Sequence, residues 1–302
     1  MARCHTIIGI IIMTSFPILG DLRRATTTIS CLDTESITKV PNAGAVEFID
    51  GKPVQVMHNG LRVLYGGYHG DWMANIIHGL RGHHEPQEER AFNEILRYCR
   101  PKTCILELGA FWAYYSMWYL KSIPFSTAYC LEPDSTHIAV GQENMHMNGL
   151  SANFVHACVG DQFIEKKQFV TESEETVNIP QHNVPSVMEH FQIDDIELLH
   201  ADVQGAELGL LLSCDPLFAT GKIRFLVVST HHSLISGSTT THTDCVAYLK
   251  SKGAHILCEH DVDESFSGDG LIVATMRPED SIIPAISISR CRRSDSLFAG
   301  GY

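Results

Sequence analysis

Asp202 and His231 each close an apolar run, IELLHAD and KIRFLVVSTHH, and both runs read as strands of a parallel sheet. The carboxyl ends of such strands face the ligand crevice of an open α/β sheet, so the two side chains should meet there. An imidazole with an unperturbed pKa of about 6.5 can take a proton from a hydroxyl near neutral pH, whereas an ordinary Asp at about 3.9 is the weaker base. His231 is therefore the expected general base and Asp202 the group that orients the acceptor or the imidazole. Asp202, His231 and Asp269 are imaginable metal ligands, but adjacent His231 and His232 point to opposite faces of an extended chain, and no metal is expected.

A second set lies in ILELGAFWAYYS, Ile105 to Ser116, where an apolar strand becomes an aromatic, helix-like segment. Gly109 permits the sharp turn, and Glu107, Gly109, Ala110 and Phe111 should line the crevice. A dinucleotide fingerprint needs two further glycines, and Phe111 and Tyr114 occupy their places, which disfavours a nicotinamide oxidoreductase. A phosphate-free cofactor with an amino-acid end and an adenosine end, S-adenosylmethionine, avoids that conflict. TAYCLEPD then ends a second strand in Glu132, where this fold places an acceptor for a ribose diol. Asp161, closing the third run NFVHACVG, completes the expected cofactor-binding set. Glu107 would steady the cofactor's amino end; its other reading is a strand-end acid bonded to backbone amides.

Repeated strand–helix units position these groups. PQEERAFNEILRYC, Pro86 to Cys99, reads as a helix with acids in its first turn, and Asp134 to Leu150 as another, with Asn144 and Asn148 on one face. Lys166 to Gln181 shows no apolar period and reads as an exposed excursion. GLIVATM follows its predecessor too closely for a crossover helix and should run antiparallel. The pattern predicts an α/β, Rossmann-like seven-stranded sheet, mostly parallel with an antiparallel last strand. The expected divisions are an N-terminal extension over 1–59 with one or two short strands, a glycine- and aromatic-rich lid-like segment over 60–84, the main domain over 85–279, and a loose tail over 280–302.

With 302 residues, 44% of them apolar, the chain can bury a full core. Its net charge of −13 offers no field for polyphosphate, so neither nucleic acid nor a membrane surface is an expected partner. Cys104, Cys130, Cys158 and Cys258 fall inside apolar runs, and no CxxC occurs, which suits reduced core thiols and a cytoplasmic location. The apolar run Thr6 to Gly20 is short for a membrane span, contains Pro17 and lacks a cleavage site, so it reads as an extension.

ELGAFWAYYS, LEPD and ADVQGAE together resemble the FkbM family of S-adenosylmethionine-dependent methyltransferases, over roughly Cys104 to Met276. The resemblance implies a class I methyltransferase fold, Glu132 as ribose acceptor, a fourth-strand turn built from Asp202, Gln204, Gly205 and Glu207, and O-methylation of a small-molecule or glycan hydroxyl. Phe111 and Ala113 stand at the family's Asn and Gly places, and Ser229 stands where its fifth strand carries an acid. The altered Phe111 and Ala113 suit a noncatalytic cofactor-binding module as the alternative.

Overall fold

The computed structural model describes residues 15–298, with side chains from residue 22 onward. Three sheets form. The small one is antiparallel, β1 (Val46–Ile49), β2 (Lys52–Val56) and β3 (Arg62–Leu64). The central one joins β4 (Cys104–Leu108), β5 (Thr127–Glu132), β6 (Asn153–His156), β10 (Ile196–Ala201), β11 (Ile223–Thr230), β12 (His255–His260) and β13 (Gly270–Thr275). Its order is β12-β13-β11-β10-β4-β5-β6, and only β13 runs antiparallel to its neighbours. The sequence predicts this seven-stranded arrangement, including the reversed last strand.

The central strands are buried on both faces. β4 and β10 have every residue buried, which is why they read as unbroken apolar runs. One face packs on helices α3 (Pro86–Leu96) and α4 (Tyr114–Ser122), with Phe92, Ile95, Tyr114, Met117 and Tyr119 all buried. The other packs on α6 (Val184–Phe191), α7 (Glu207–Ser213) and α10 (Thr241–Ser251) through Val187, Leu210, Leu211, Cys245 and Leu249. α5 (Ser135–Met147) opens on Asp134, whose carboxylate accepts from Thr136 N. The anticipated asparagine pair on its face clamps β3: Asn148 Oδ1 accepts from Arg62 N (2.9 Å) and Asn144 Oδ1 from Leu64 N (2.8 Å).

The structure corrects three expectations. Lys166 to Gln181 leaves the central sheet as the expected excursion does, but it is regular: β8 (Ile164–Val170) and β9 (Thr176–His182) form an antiparallel hairpin joined to β7 (Cys158–Val159). β8 has no buried residue, and β9 buries Ile179 beside the polar Gln181 and His182, so no apolar alternation marks them. The N-terminal extension contains a helix, α1 (Ser15–Ile29), besides its strands. The loose tail after Pro278 is tied down, Ile286 N bonding Leu257 O and Arg23 bonding Ser296 O. The part of the apolar run before Ser15 lies outside the described residues. Among the described residues no helix is long and apolar enough to cross a membrane. Every described cysteine is a free thiol, and all but Cys99 are buried.

Candidate active site

The turn after β4 depends on a glycine for a specific reason. Gly109 has φ +74°, and a Cβ there would stand 1.7 Å from the Asp202 carbonyl oxygen. The backbone leaving β4 therefore touches the backbone leaving β10, and Asp202 N donates to Leu108 O at 2.9 Å. The amides of Gly109 and Ala110 both donate to Leu131 O. Phe111 and Ala113 follow with positive φ values of 39° and 59°, a conformation that costs a side-chain-bearing residue about 1–2 kcal/mol.

Glu132, at the end of β5, faces this turn and is buried. Its Oε2 accepts from Phe111 N (2.9 Å), and its Oε1 from Asp134 N (3.0 Å), with His137 Nδ1 3.3 Å away. The Phe111 and His137 rings stack 3.4 Å apart beside it. Glu107 lies deeper: its Oε2 accepts from Ser116 N (2.9 Å), and burial raises its pKa against the nearby His200. That is the arrangement of a strand-end acid bonded to a backbone amide. Asp161 is exposed just after β7, beside Gly209 of α7, and its carbonyl accepts from Asn183 Nδ2 (3.3 Å).

The parallel register of β10 and β11, Ala201 opposite Val228, brings Asp202 and His231 together as expected. His231 is buried, its Nε2 3.0 Å from Asp202 Oδ1 and 3.7 Å from Asp269 Oδ1, its Nδ1 2.5 Å from Glu207 Oε1. Burial alone would lower the imidazole's pKa, but hydrogen bonds to Asp202 and Glu207 and the charge of Asp269 hold it well above its ordinary value. Burial pushes Asp269 up to about 7 against the opposing pull of His231, with Asp202 adding to the rise.

Three elements pack around these strand ends. Tyr68, from the lid-like segment, stacks flat on Trp112 at 4.6 Å and meets Phe111 edge-on. His69 pairs with Glu172 of the hairpin tip at 3.4 Å, and the adjacent Ser173 bonds Asp134. The amino end of α3 supplies Glu85, which accepts from Tyr115 Oη (3.0 Å), and Glu88, which joins His200 (2.6 Å) to Ser229 (2.7 Å). Sequence reasoning assigned Glu88 only to the helix start and gave Glu85 no part. The available signal was spacing: Glu88 falls four residues before Phe92 and seven before Ile95, on the apolar stripe.

Residues 125–256 match the family described as the methyltransferase FkbM domain. This stretch includes Glu132, Asp161, Asp202 and His231 and begins after the Gly109–Ala113 turn, where the chain departs from the family pattern. No curated protein matches the chain. Among solved structures, a precorrin-6y C5,15-methyltransferase from Geobacter metallireducens is similar at 11% identity and TM-score 0.40, covering 62% of this chain and 86% of that one. M. capricolum TrmK in complex with S-adenosyl-homocysteine is similar at 13% identity and TM-score 0.41, covering 62% and 67%. A putative methyltransferase from Streptococcus mutans, also in complex with S-adenosyl-homocysteine, aligns at 6% identity and TM-score 0.43, covering 63% and 97%. At these scores the likenesses add nothing to the strand order, which is itself that of the Rossmann-like class I methyltransferase fold.

Proposed function

We propose that this chain is an S-adenosylmethionine-dependent O-methyltransferase whose acceptor is a hydroxyl of a small molecule or glycan. The FkbM match makes S-adenosylmethionine the expected cofactor, and the turn fits it: Glu132 spends three of about four lone-pair sites on Phe111 N, Asp134 N and His137, leaving capacity for a ribose hydroxyl. When bound, the cofactor supplies a methyl group on a sulfonium centre. The chain must then align the acceptor oxygen and take its proton.

The observation that carries the oxygen acceptor is the Asp202–His231–Asp269 cluster at the ends of β10 and β11 and the start of β13. His231 was expected to be a free base, but two carboxylates on its two ring nitrogens favour the imidazolium. Its role in this reading is to hold Asp202 toward the acceptor as an ion pair, Nε2 standing 3.0 Å from Asp202 Oδ1. The proton from the hydroxyl passes instead to Asp269, whose carboxylate, poised at about 7, is matched to neutral pH. A net charge of −13 supports a small-molecule acceptor over nucleic acid.

The test is transfer of a labelled methyl group from S-adenosylmethionine to a panel of hydroxylated sugars and natural products, with RNA in parallel. Label appearing on an oxygen supports the reading, and label on RNA bases alone refutes it. The Phe111–His137 stack beside Glu132 favours the noncatalytic module as second reading. That reading requires S-adenosylhomocysteine binding with no transfer to any acceptor.

A further inference from the structure

His58, His83 and Glu89 bring two imidazoles and a carboxylate together away from the methyl-transfer cluster. One ligand atom from each lies within 4.8 Å of the others, and all three side chains are buried. The two imidazole rings stack 4.1 Å apart, 15° from parallel. This proximity is enforced by the backbone. His58 N donates to Gly82 O at 2.9 Å, and a Cβ on Gly82 would stand 2.2 Å from His58 N, so only glycine lets the turn before α3 lie so close.

Glu89 is fixed just as firmly. Its Oε1 accepts from His84 N (2.7 Å) and Glu85 N (3.2 Å) and meets the His84 ring at 2.6 Å, while its Oε2 turns the other way, onto His83 Nδ1. The Tyr114 hydroxyl, from α4, stands 3.0 Å from His58 Nδ1. His83 Nε2 is buried with no hydrogen-bond partner, an omission that costs about 1–3 kcal/mol if nothing occupies it.

We propose that His58, His83 and Glu89 bind one divalent cation of the zinc class. Two nitrogens and one oxygen suit a borderline transition ion, whereas magnesium and calcium call for oxygen sets. Ligand atoms around a tetrahedral zinc stand roughly 3.4 Å apart, so the set must contract by up to about 1.4 Å. Because the lone pairs lie in the ring planes, one of the two stacked rings must also turn out of the stack, and Glu89 Oε2 must pass from His83 Nδ1 to the ion, motions that side-chain rotation supplies. Buried ligands with a tyrosine hydroxyl at hand make a closed site, which is a structural role. The ion would tie the end of β2, the turn before α3 and α3 itself into one unit. That unit presents Glu85 and Glu88 to the crevice.

The test uses the full chain, stripped with a chelator and titrated with Zn²⁺, and separately with Co²⁺ as a visible probe. The expected result is one equivalent bound, a d–d spectrum without thiolate charge transfer, and slowed hydrogen–deuterium exchange over residues 81–90. H83Q should weaken Zn²⁺ binding at least about 100-fold, above the loss typical of an outer partner, and H231A should leave it unchanged. Should H83Q fail to fold, the wild-type exchange map decides alone. Binding well below one equivalent, thiolate bands, or protection confined elsewhere overturns the proposal.

Discussion

Replacing Glu132 by Gln tests the cofactor assignment with little change of shape. The carboxylate already satisfies Phe111 N at 2.9 Å and Asp134 N at 3.0 Å, and the amide oxygen of Gln can keep one of these. What it cannot keep is the charge-assisted bond to a ribose hydroxyl, worth about 1.5–3 kcal/mol, which corresponds to roughly 10- to 150-fold in affinity. Titration calorimetry with S-adenosylhomocysteine measures this directly. His137→Ala sharpens the test, because His137 competes for Glu132 Oε1 from 3.3 Å and stacks on Phe111. It should bind S-adenosylhomocysteine at least as tightly as the wild type. If Glu132→Gln binds within twofold of the wild type while remaining folded, the ribose is not held at Glu132 and the assignment fails.

Asp269→Asn should lower turnover by about 10²- to 10⁴-fold with cofactor affinity nearly unchanged, measured as initial rates with saturating acceptor. In the wild type, turnover should rise with pH through about 7 as Asp269 loses its proton, and this limb should vanish in the variant. Stability has the opposite sign: a carboxyl whose folded pKa is raised stabilises most below its unfolded value near 3.8 and loses that contribution as pH rises through about 7. The wild-type melting temperature should therefore fall relative to Asp269→Asn between pH 4 and 8. Gly109→Ala should abolish soluble expression, since its Cβ would overlap the Asp202 carbonyl; a folded variant would show that the strand ends can separate. Ala113→Gly relieves a positive φ of 59° and should leave stability unchanged or raise it by up to about 1 kcal/mol in denaturant titration; a larger loss would mean that the Ala113 methyl is a packing contact.

Legibility followed burial. β4, β5, β10, β11 and β13 are apolar along most of their length because both faces are covered, so their ends, and with them Glu132, Asp202 and His231, could be located to within a residue or two. The β8–β9 hairpin was invisible because β8 buries no residue and β9 buries Gln181 and His182 with Ile179, and its polar tip then brings Glu172 to His69 and Ser173 to Asp134. The state of His231 was hidden for another reason. Its flanking acids come from α7 and from the loop before β13, and only the folded chain places both against one ring.

The departures from the family pattern also become intelligible in three dimensions. Ser229 stands on β11 where the resemblance calls for an acid, and the carboxylate arrives there from α3 instead, Glu88 Oε2 accepting from Ser229 Oγ at 2.7 Å. Its other oxygen holds His200 of β10 at 2.6 Å, and His200 in turn is charged enough to oppose the burial of Glu107. Buried acids on β4 and α3 thus share one imidazole, an arrangement that satisfies charges none of these elements could bury alone. The helix that supplies Glu88 is the one anchored through Glu89 to His83 and His84. A displacement of α3 would therefore strip Ser229 of its acid and His200 of its partner together, so the crevice depends on a helix outside the stretch that matches the family.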